Sequence, residues 1–179
     1  MEDLQLIALI RDGNTEAFGQ VIERYQLPIG KYLYRLTGEY ETARDLTQDT
    51  FLQAYQSLRK NKEEIQLKAW LYGIATNKAL QYRRRKKIIT FVPFEDAQNT
   101  DPPDGKNQPN DLAEKIMVEA AMLKVPKEQS VCMLLHFVEG FKYREIARTL
   151  GISEDAVRMR VARGSREFRK HYGPQGGDV

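Results

Sequence analysis

A long stretch without helical pattern divides this sequence and limits the folds open to it. Residues 91–111 read FVPFEDAQNTDPPDGKNQPND and contain four of the seven prolines, together with several Asp and Asn residues. A structureless segment of this length is unusual inside one compact domain and is typical of a linker. The sequence therefore predicts two folding units, over residues 1–90 and 112–173, joined by an extended, flexible linker over 91–111.

Charge follows the same division. The chain as a whole is nearly balanced, with 28 basic and 25 acidic residues and a formal net charge of +3. Between residues 88 and 114, however, acidic residues outnumber a single lysine, Lys106, so both flanking blocks have a basic excess. Two basic blocks around an acidic linker suggest two modules that each meet a polyanion, although ordinary surface charge would give similar totals.

Both blocks are helical in pattern, and no window alternates convincingly like a strand. After Asn14, a natural helix start, Phe18, Val21 and Tyr25 recur at helical spacing, and Pro28 is expected to kink or divide that helix. Further helices fit residues 41–60 and 67–87. Because each apolar stripe needs a partner, the prediction is an all-α fold in which residues 1–90 form a helical bundle.

The second block ends in a helix, a tight turn and a second helix. Helices are expected over 112–124, with Ile116, Ala120 and Leu123 inward, and over 127–139. Ile146, Ala147 and Leu150 then give a short amphipathic helix, Gly151 permits the turn, and Ser153 is a good N-cap for the next helix, on which Val157 and Val161 face inward. This spacing is typical of a helix-turn-helix whose second helix enters the DNA major groove. A solvated basic helix on an unrelated bundle would share the pattern. The cations of the last helix are Arg158, Arg160, Arg163, Arg166, Arg169 and Lys170.

The segment 67–87 has a face of a different character. A helical wheel at about 100° per residue places apolar side chains on one side and a mixed set on another. The mixed set offers an aromatic surface, two amides able to read base edges and a cation, which suits single-stranded or partly opened nucleic acid. Trp70, the only tryptophan, also fits a core anchor. The apolar set is Leu71, Ile74, Ala75 and Tyr82, with Lys78 among them; the mixed set is Trp70, Asn77, Gln81 and Arg84.

Five consecutive cations end this segment, in the order Arg83, Arg84, Arg85, Lys86 and Lys87. Five residues span about 500° of helix, so they cannot form a single binding stripe. Only Arg84 aligns with the mixed set. The others are expected to ring the helix end, where cations meet flanking phosphates and favour the negative pole of the helix dipole.

Other classes of protein are disfavoured. No apolar run approaches the roughly 20 residues that cross a bilayer, and the acidic start does not resemble a secretory signal. One cysteine, Cys132, excludes an internal disulfide and is consistent with a reducing, cytoplasmic setting. His136 and Cys132 fall in one apolar helix, His171 lies near the tail, and no metal-ligand spacing or glycine-rich phosphate loop occurs. We therefore expect no catalytic activity, no metal and no cofactor.

Taken together, four segments in order resemble the extracytoplasmic-function (ECF) class of bacterial RNA polymerase sigma factors, over nearly the whole chain. The family's opening segment is matched here by GNTEAFGQVIERY, and its core-polymerase-binding helix resembles ARDLTQDTFLQAY. Its promoter-opening segment resembles KAWLYGIATNKALQYRRRKK. The family's C-terminal module resembles VPKEQSVCMLLHFVEGFKYREIARTLGIS of this chain, together with the recognition helix that follows it. The resemblance implies two helical domains, region two and region four, which bind core RNA polymerase and read the −10 and −35 promoter elements.

The resemblance also implies roles for particular residues and partners. The partners would be promoter DNA, the β′ clamp helices and β flap of core RNA polymerase, and an anti-sigma factor, with no insertion into a membrane. The acidic linker would thread toward the active channel of the polymerase. The clamp helices would meet Asp45, Leu46, Gln48, Asp49, Phe51 and Leu52; the −10 element would meet Trp70, Asn77, Gln81, Arg83, Arg84, Arg85, Lys86 and Lys87; the −35 element would meet Arg158, Met159, Arg160, Arg163 and Arg166.

A stand-alone helix-turn-helix regulator is the alternative from a different class. Such proteins usually dimerise and bind palindromes on their own. The two dissimilar basic modules and the acidic-apolar segment around Asp45 and Asp49 favour the sigma factor, and a requirement for core polymerase separates the two hypotheses.

Overall fold

Helices form every secondary-structure element in the part of the chain that the computed structural model describes, namely residues 1–60, 64–86 and 109–172. The all-α prediction is therefore confirmed. The chain divides into two compact units, Met1–Ile88 and Ile89–Val179. Lys87, residues 91–108 of the predicted linker and the tail after Tyr172 lie outside the described residues, whereas the last linker positions, from Pro109, already belong to a helix.

The first unit is a bundle of four helices: α1 (Asp3–Arg11), α2 (Thr15–Thr37), α3 (Tyr40–Lys60) and α4 (Leu67–Lys86). Asn14 caps α2, because its Oδ1 accepts a hydrogen bond of 3.0 Å from the backbone N–H of Ala17. Large apolar side chains from all four helices are fully buried between them, and this burial is the main stabilising contribution to the unit. They include Leu6, Ile10, Val21, Ile29, Leu33, Leu36, Leu58 and Leu71.

Helix α2 continues through Pro28, so of the two expected effects of this proline, a kink or a division, the division is wrong. Pro28 is exposed, and its ring removes only one backbone hydrogen bond of the helix. The buried stripe of Val21, Tyr25, Ile29 and Leu33 continues past the proline position. Tertiary packing of that stripe outweighs the local cost of one proline.

Helix α4 is buried on nearly all sides in its first turns, because it contacts α1, α2 and α3. Leu71, Tyr72, Ala75 and Thr76 are buried, and the Thr76 hydroxyl shares a hydrogen bond of 2.7 Å with the Tyr32 hydroxyl of α2. The central position of α4 leaves only a narrow part of its surface exposed, so the exposed side chains on it are fixed by a rigid support.

The second unit comprises α5 (Pro109–Lys124), α6 (Lys127–Met133) with a π-helical turn (Leu134–Val138), α7 (Tyr143–Leu150) and α8 (Glu154–Tyr172). On α5 the predicted inward positions Ala120 and Leu123 are wrong, since both are exposed. The buried residues are Ala121, Met122 and Val125, one register step away. The sequence AAMLKV offers apolar residues on both registers, so periodicity alone cannot choose between them.

Candidate functional site

The turn between α7 and α8 has helix-turn-helix geometry. Gly151 adopts a left-handed conformation with φ of 65°, which glycine accepts without steric cost, and the backbone N–H of Ile152 donates to the carbonyl of Ala147 at 3.0 Å. The Ser153 Oγ then accepts a hydrogen bond of 3.1 Å from the N–H of Ala156, as an N-cap does. Val157 and Val161 are buried, so these contacts fix which side of α8 faces outward.

The outward side of α8 carries Met159, Arg163 and Arg166, together with Arg158. Met159 is 50 % exposed, so its side chain is accessible to a ligand. Arg158 is already engaged within the helix, because its guanidinium lies 2.9 Å from Asp155 Oδ1 and 3.8 Å from Glu154 Oε1. Arg163 and Arg166 form no ion pair with an acid among the residues that the structure describes, so they are the stronger candidates on this side for contact with a polyanion.

Arg160 does not lie on that outward side. This position corrects the sequence prediction, which included Arg160 among the promoter-contact residues. Its side chain is half-buried, and its Nη2 lies 2.7 Å from Glu128 Oε2 of α6. The same guanidinium also bonds Cys132, although burial is the larger influence and raises the pKa of that thiol. Arg160 follows Arg158 by two positions, which is about 200° around the helix, so the Arg160 side chain turns toward the core.

On α4 the structure brings most of the mixed set together on one exposed side. Asn77, Gln81 and Arg84 are exposed and Trp70 is half-buried, so part of the Trp70 side chain is open to solvent. Arg85 is exposed beside them. Tyr82 is held behind this side, since its hydroxyl bonds Thr42 at 3.0 Å and Glu39 at 3.1 Å. Lys86 ends the helix, and Lys87 lies beyond the described residues.

Arg83 faces the opposite way and is the second correction. Only 5 % of its surface is exposed, and burial lowers the pKa of its guanidinium. Its Nε has no hydrogen-bond partner among the described residues. Seven and four positions earlier lie Thr76 and Ala79, which are buried, and this helical spacing places Arg83 on their inward side. Arg83 is therefore not part of an exposed basic ring at the helix end.

Helix α3 offers an acidic, partly apolar surface. Asp45, Gln48, Asp49 and Leu52 are exposed and Leu46 is half-buried. Phe51 is the third correction, because it is only 6 % exposed and its ring meets Phe18 edge-on, with centroids 6.4 Å apart. The aromatic ring at this position fills the core between α2 and α3 and is not available for a partner.

Sequence reasoning missed Lys78 as a functional candidate. It was assigned to the core side of α4, yet it is half-buried and its Nζ lies 3.6 Å from Asp49 Oδ2. The signal was present, because a lysine inside an apolar stripe needs a carboxylate within reach. The position of that carboxylate on α3 became known only from the packing of the two helices.

Within the described ranges, no group of three or more His, Cys, Asp or Glu side chains is arranged to hold a metal ion. None of the described helices is long and apolar enough to cross a membrane.

Known proteins with similar sequences and folds identify the family. The family model for Sigma-70 region 2 matches residues 21–88, and the model for Sigma-70, region 4 matches residues 115–167. RNA polymerase sigma factor YlaC of Bacillus subtilis (strain 168) is 31 % identical over 163 residues, which cover 88 % of this chain and 93 % of YlaC. This chain belongs to the ECF class of RNA polymerase sigma factors.

Other comparisons agree with this sigma factor assignment. The ECF RNA polymerase sigma factor SigE of Mycolicibacterium smegmatis is 27 % identical over 158 residues, 87 % of this chain, and the chain spans 61 % of the length of SigE. The solved structure of CnrH, in complex with the cytosolic domain of CnrY, shares the fold with a TM-score of 0.71 and 24 % identity, and the match covers 94 % of this chain and 95 % of CnrH.

The sigma factor family also decides between the two hypotheses from sequence. Its region 2 and region 4 models match one unit each, so the chain is a transcription initiation factor and not a stand-alone helix-turn-helix regulator. Sigma factors are a non-enzymatic family of transcription factors.

Proposed function

We propose that this sigma factor directs core RNA polymerase to its promoters by reading the −10 element with α4 and the −35 element with α8. The observation that carries the proposal is the exposed side of α4, where Asn77, Gln81 and Arg84 follow the half-buried Trp70 along one side of the helix within the region 2 match. Amides read base edges, an aromatic ring stacks on an unpaired base, and arginine neutralises phosphate. A stable helix on a packed bundle would hold these groups ready for melted DNA.

For the −35 element we propose Arg163 and Arg166 as the principal contacts of α8, with Met159 as an apolar contact to the bases. Arginine pairs bidentately with guanine, and an apolar side chain contacts the methyl group of thymine in the major groove. Arg158 would reach DNA only by leaving Asp155 and Glu154, which favours a contact to phosphate over one to a base edge. Because the N-terminal half of α8 enters the groove in this motif, Arg163 would reach base edges, and Arg166, farther along the helix, would contact flanking phosphate.

The acidic surface of α3 would bind core polymerase. Asp45 and Asp49 would pair with cations of the β′ clamp helices, Gln48 would donate or accept hydrogen bonds, and Leu46 and Leu52 would supply apolar contact at the centre. The β flap would bind the second unit. Phe51 supports this surface from within, because it fixes α3 against α2 without contacting the partner.

An anti-sigma factor is part of the proposal, as are action in the cytoplasm and the absence of catalysis by the chain itself. The solved relative CnrH is bound to the cytosolic domain of CnrY, and a partner of that kind would cover faces used for polymerase here. The acidic linker would lie in the polymerase channel, where its charge imitates nucleic acid. RNA synthesis would belong entirely to the polymerase.

Run-off transcription with core polymerase on genomic fragments tests the proposal. We expect new start sites that require both the chain and the core enzyme, preceded by two common sequence elements. Charge reversal at Asp45 and Asp49 should weaken association with core polymerase in a pull-down, while circular dichroism stays unchanged because both side chains are exposed. A tight footprint of the chain alone on a palindrome, or undiminished binding of the reversed variant, would contradict the proposal.

A further inference from the structure

The ion pair between Lys78 and Asp49 joins the two surfaces described above. Lys78 lies on α4 and Asp49 on α3, and the distance from Nζ to Oδ2 is 3.6 Å. Most other ion pairs described in the structure are different in kind: Arg44 and Glu41, for example, pair at 2.9 Å within α3 itself. A contact between neighbouring helices couples their electrostatics, whereas a contact within one helix turn stabilises only that turn.

The two partners are unequally accessible. The side chain of Asp49 is 61 % exposed, and that of Lys78 is 21 % exposed. A cation from outside can therefore approach Asp49 directly, whereas most of the Lys78 side chain is covered. At this separation near a protein surface the attraction is moderate, so a closer, better-oriented cation can replace Lys78 as the partner of Asp49.

Lys78 is also placed beside the base-reading side of α4. Gln81 follows it by three positions and Arg85 by seven, so both lie near it on the helix surface. On the helical wheel Lys78 is about 60° from Gln81, at the edge of the exposed side. Once released from Asp49, the ammonium group has a short path to a phosphate of DNA bound along Asn77 and Gln81.

We propose that the Lys78–Asp49 ion pair links polymerase docking to promoter contact, so that a polymerase cation takes Asp49 and leaves Lys78 free to bind a DNA phosphate. The inference rests on the proposed function, in which α3 meets polymerase and α4 meets the −10 element. In the free chain Asp49 neutralises Lys78 and lowers affinity for DNA. In the holoenzyme the same lysine adds one phosphate contact, and promoter contact is favoured only where polymerase is bound.

The decisive experiment compares one lysine in two states of the protein. Fluorescence anisotropy measures binding of a labelled forked DNA, single-stranded over the mapped −10 element, to the full chain alone and to reconstituted holoenzyme. We expect Lys78→Gln to weaken binding by holoenzyme and to lower the slope of log affinity against log salt by about one, as for one lost phosphate contact. The same substitution should change binding by the free chain little, and Lys78→Arg should retain the difference.

Removing the acid provides the converse test. In the free chain Asp49→Asn should increase affinity for the forked DNA and steepen the salt slope by about one, and the gain should disappear in the Asp49→Asn, Lys78→Gln double variant. Glu41→Gln is the matched control, because it changes the net charge of α3 equally and releases Arg44 instead. Its smaller gain should not depend on Lys78.

Each outcome bears on a definite part of the inference. An equal loss for Lys78→Gln in the free chain and in holoenzyme, or a gain for Asp49→Asn no larger than for Glu41→Gln, overturns the link. Unchanged core binding of Asp49→Asn in a pull-down instead removes Asp49 from the proposed polymerase surface. In that case the ion pair is still tested by whether the gain in DNA affinity of Asp49→Asn in the free chain depends on Lys78, so the two failures are distinguishable.

Discussion

Phe51 and Leu52 are neighbours in α3 but have opposite environments. Phe51 is buried against Phe18, while Leu52 is 59 % exposed on the surface proposed for polymerase. We expect Phe51→Ala to lower the free energy of unfolding by about 3–5 kcal/mol, because it leaves a cavity in the core. Leu52→Ala should change it by no more than about 0.5 kcal/mol and weaken binding to core polymerase.

Urea denaturation and a core-polymerase pull-down on both variants separate these two effects. A Phe51→Ala protein of native stability would show that the ring does not fill the core. A strongly destabilised Leu52→Ala protein would show that its side chain is not an exposed contact.

Gly164 and Gly19 form a second pair with opposite expectations. A Cβ on Gly164 would lie 2.6 Å from Met133 Sδ and 3.1 Å from Gln129 Cβ, where α8 crosses α6. Alanine gains about 0.5–1 kcal/mol of helix propensity at this position, but the overlap costs more, so Gly164→Ala should destabilise the chain by a net amount of about 0.5–2 kcal/mol. Gly19→Ala, in α2 with nothing within 4 Å of its Cβ, should stabilise it by about 0.5–1 kcal/mol, because alanine restricts the unfolded chain.

The measurement is the midpoint of thermal or urea unfolding for both alanine variants against the parent protein. Stabilisation by Gly164→Ala would mean that Met133 moves aside without loss of packing, and the close crossing of α6 and α8 would then not require glycine.

Residue-level prediction from the sequence succeeded where a side chain's face follows from helical spacing. Asn77, Gln81 and Arg84 are exposed as the wheel indicated, and Val157 and Val161 are buried. It failed for Phe51, Arg83 and Arg160. The family resemblance indicated which segments make contacts, and charge indicated residues within them, but neither indicated the direction in which each side chain points. A wheel centred on Trp70 already sets Arg83 well away from Arg84, but a run of cations draws attention to its total charge.

At the scale of elements, α1 is attached to α2 by a small polar cluster. The Asp3 carboxylate accepts from Arg24 Nη1 and from the Tyr25 hydroxyl, both at 2.5 Å. Burial, together with the hydrogen bond to Asp3, raises the pKa of Tyr25 to about 12. Because the ordinary value is 10.0, the unfolded chain loses this proton first as the pH rises.

We therefore expect Tyr25 to make the free energy of unfolding fall between about pH 10 and pH 12, since the folded state retains a proton there that the unfolded state has released. Below pH 10 this contribution is fully present. In Tyr25→Phe the decline across the window should be shallower than in the parent protein, as measured by urea denaturation at a series of pH values.

Tyr40→Phe, at an exposed position, is the control for loss of a phenol. Equal slopes for the parent protein and Tyr25→Phe would show that Asp3 and Tyr25 do not share this proton-linked contact.

The bounds of the helices from α2 onward were largely predictable because most of them carry local signals, whereas α1 (Asp3–Arg11) was not predicted. Asn14 and Ser153 cap α2 and α8 as expected, and Gly151 ends α7 in the left-handed conformation. The absence of a division at Pro28 has a physical cause in packing across the bundle, which a local rule does not contain. The register of α5 was likewise decided by its partner helix, since AAMLKV offers two apolar stripes.

At the scale of the molecule, DNA contacts are divided between two units that polymerase must hold at once. If α4 and α8 read separate elements, inserting about five base pairs between those elements turns one by half a helical turn relative to the other. We expect this insertion to abolish most run-off product. An insertion of about ten base pairs should return the two promoter elements to the same side of the DNA, while the distance between them stays longer. Binding of core polymerase to the sigma factor should be unaffected in both cases.

Transcription that tolerates the half-turn insertion would contradict simultaneous reading by the two units. A matched template with the insertion placed upstream of both elements controls for changes in length and composition.

The inward and outward sides of α8 have no residue in common. Val157, Arg160, Val161 and Gly164 hold the helix to its unit, and Met159, Arg163 and Arg166 face away from it. Selection for a new target sequence and selection for a stable fold therefore act on different positions. Paralogues that arise by gene duplication can diverge in promoter choice through a few outward exchanges without passing through unfolded intermediates. The same separation makes this helix a suitable cassette for building sets of sigma factors that do not cross-react.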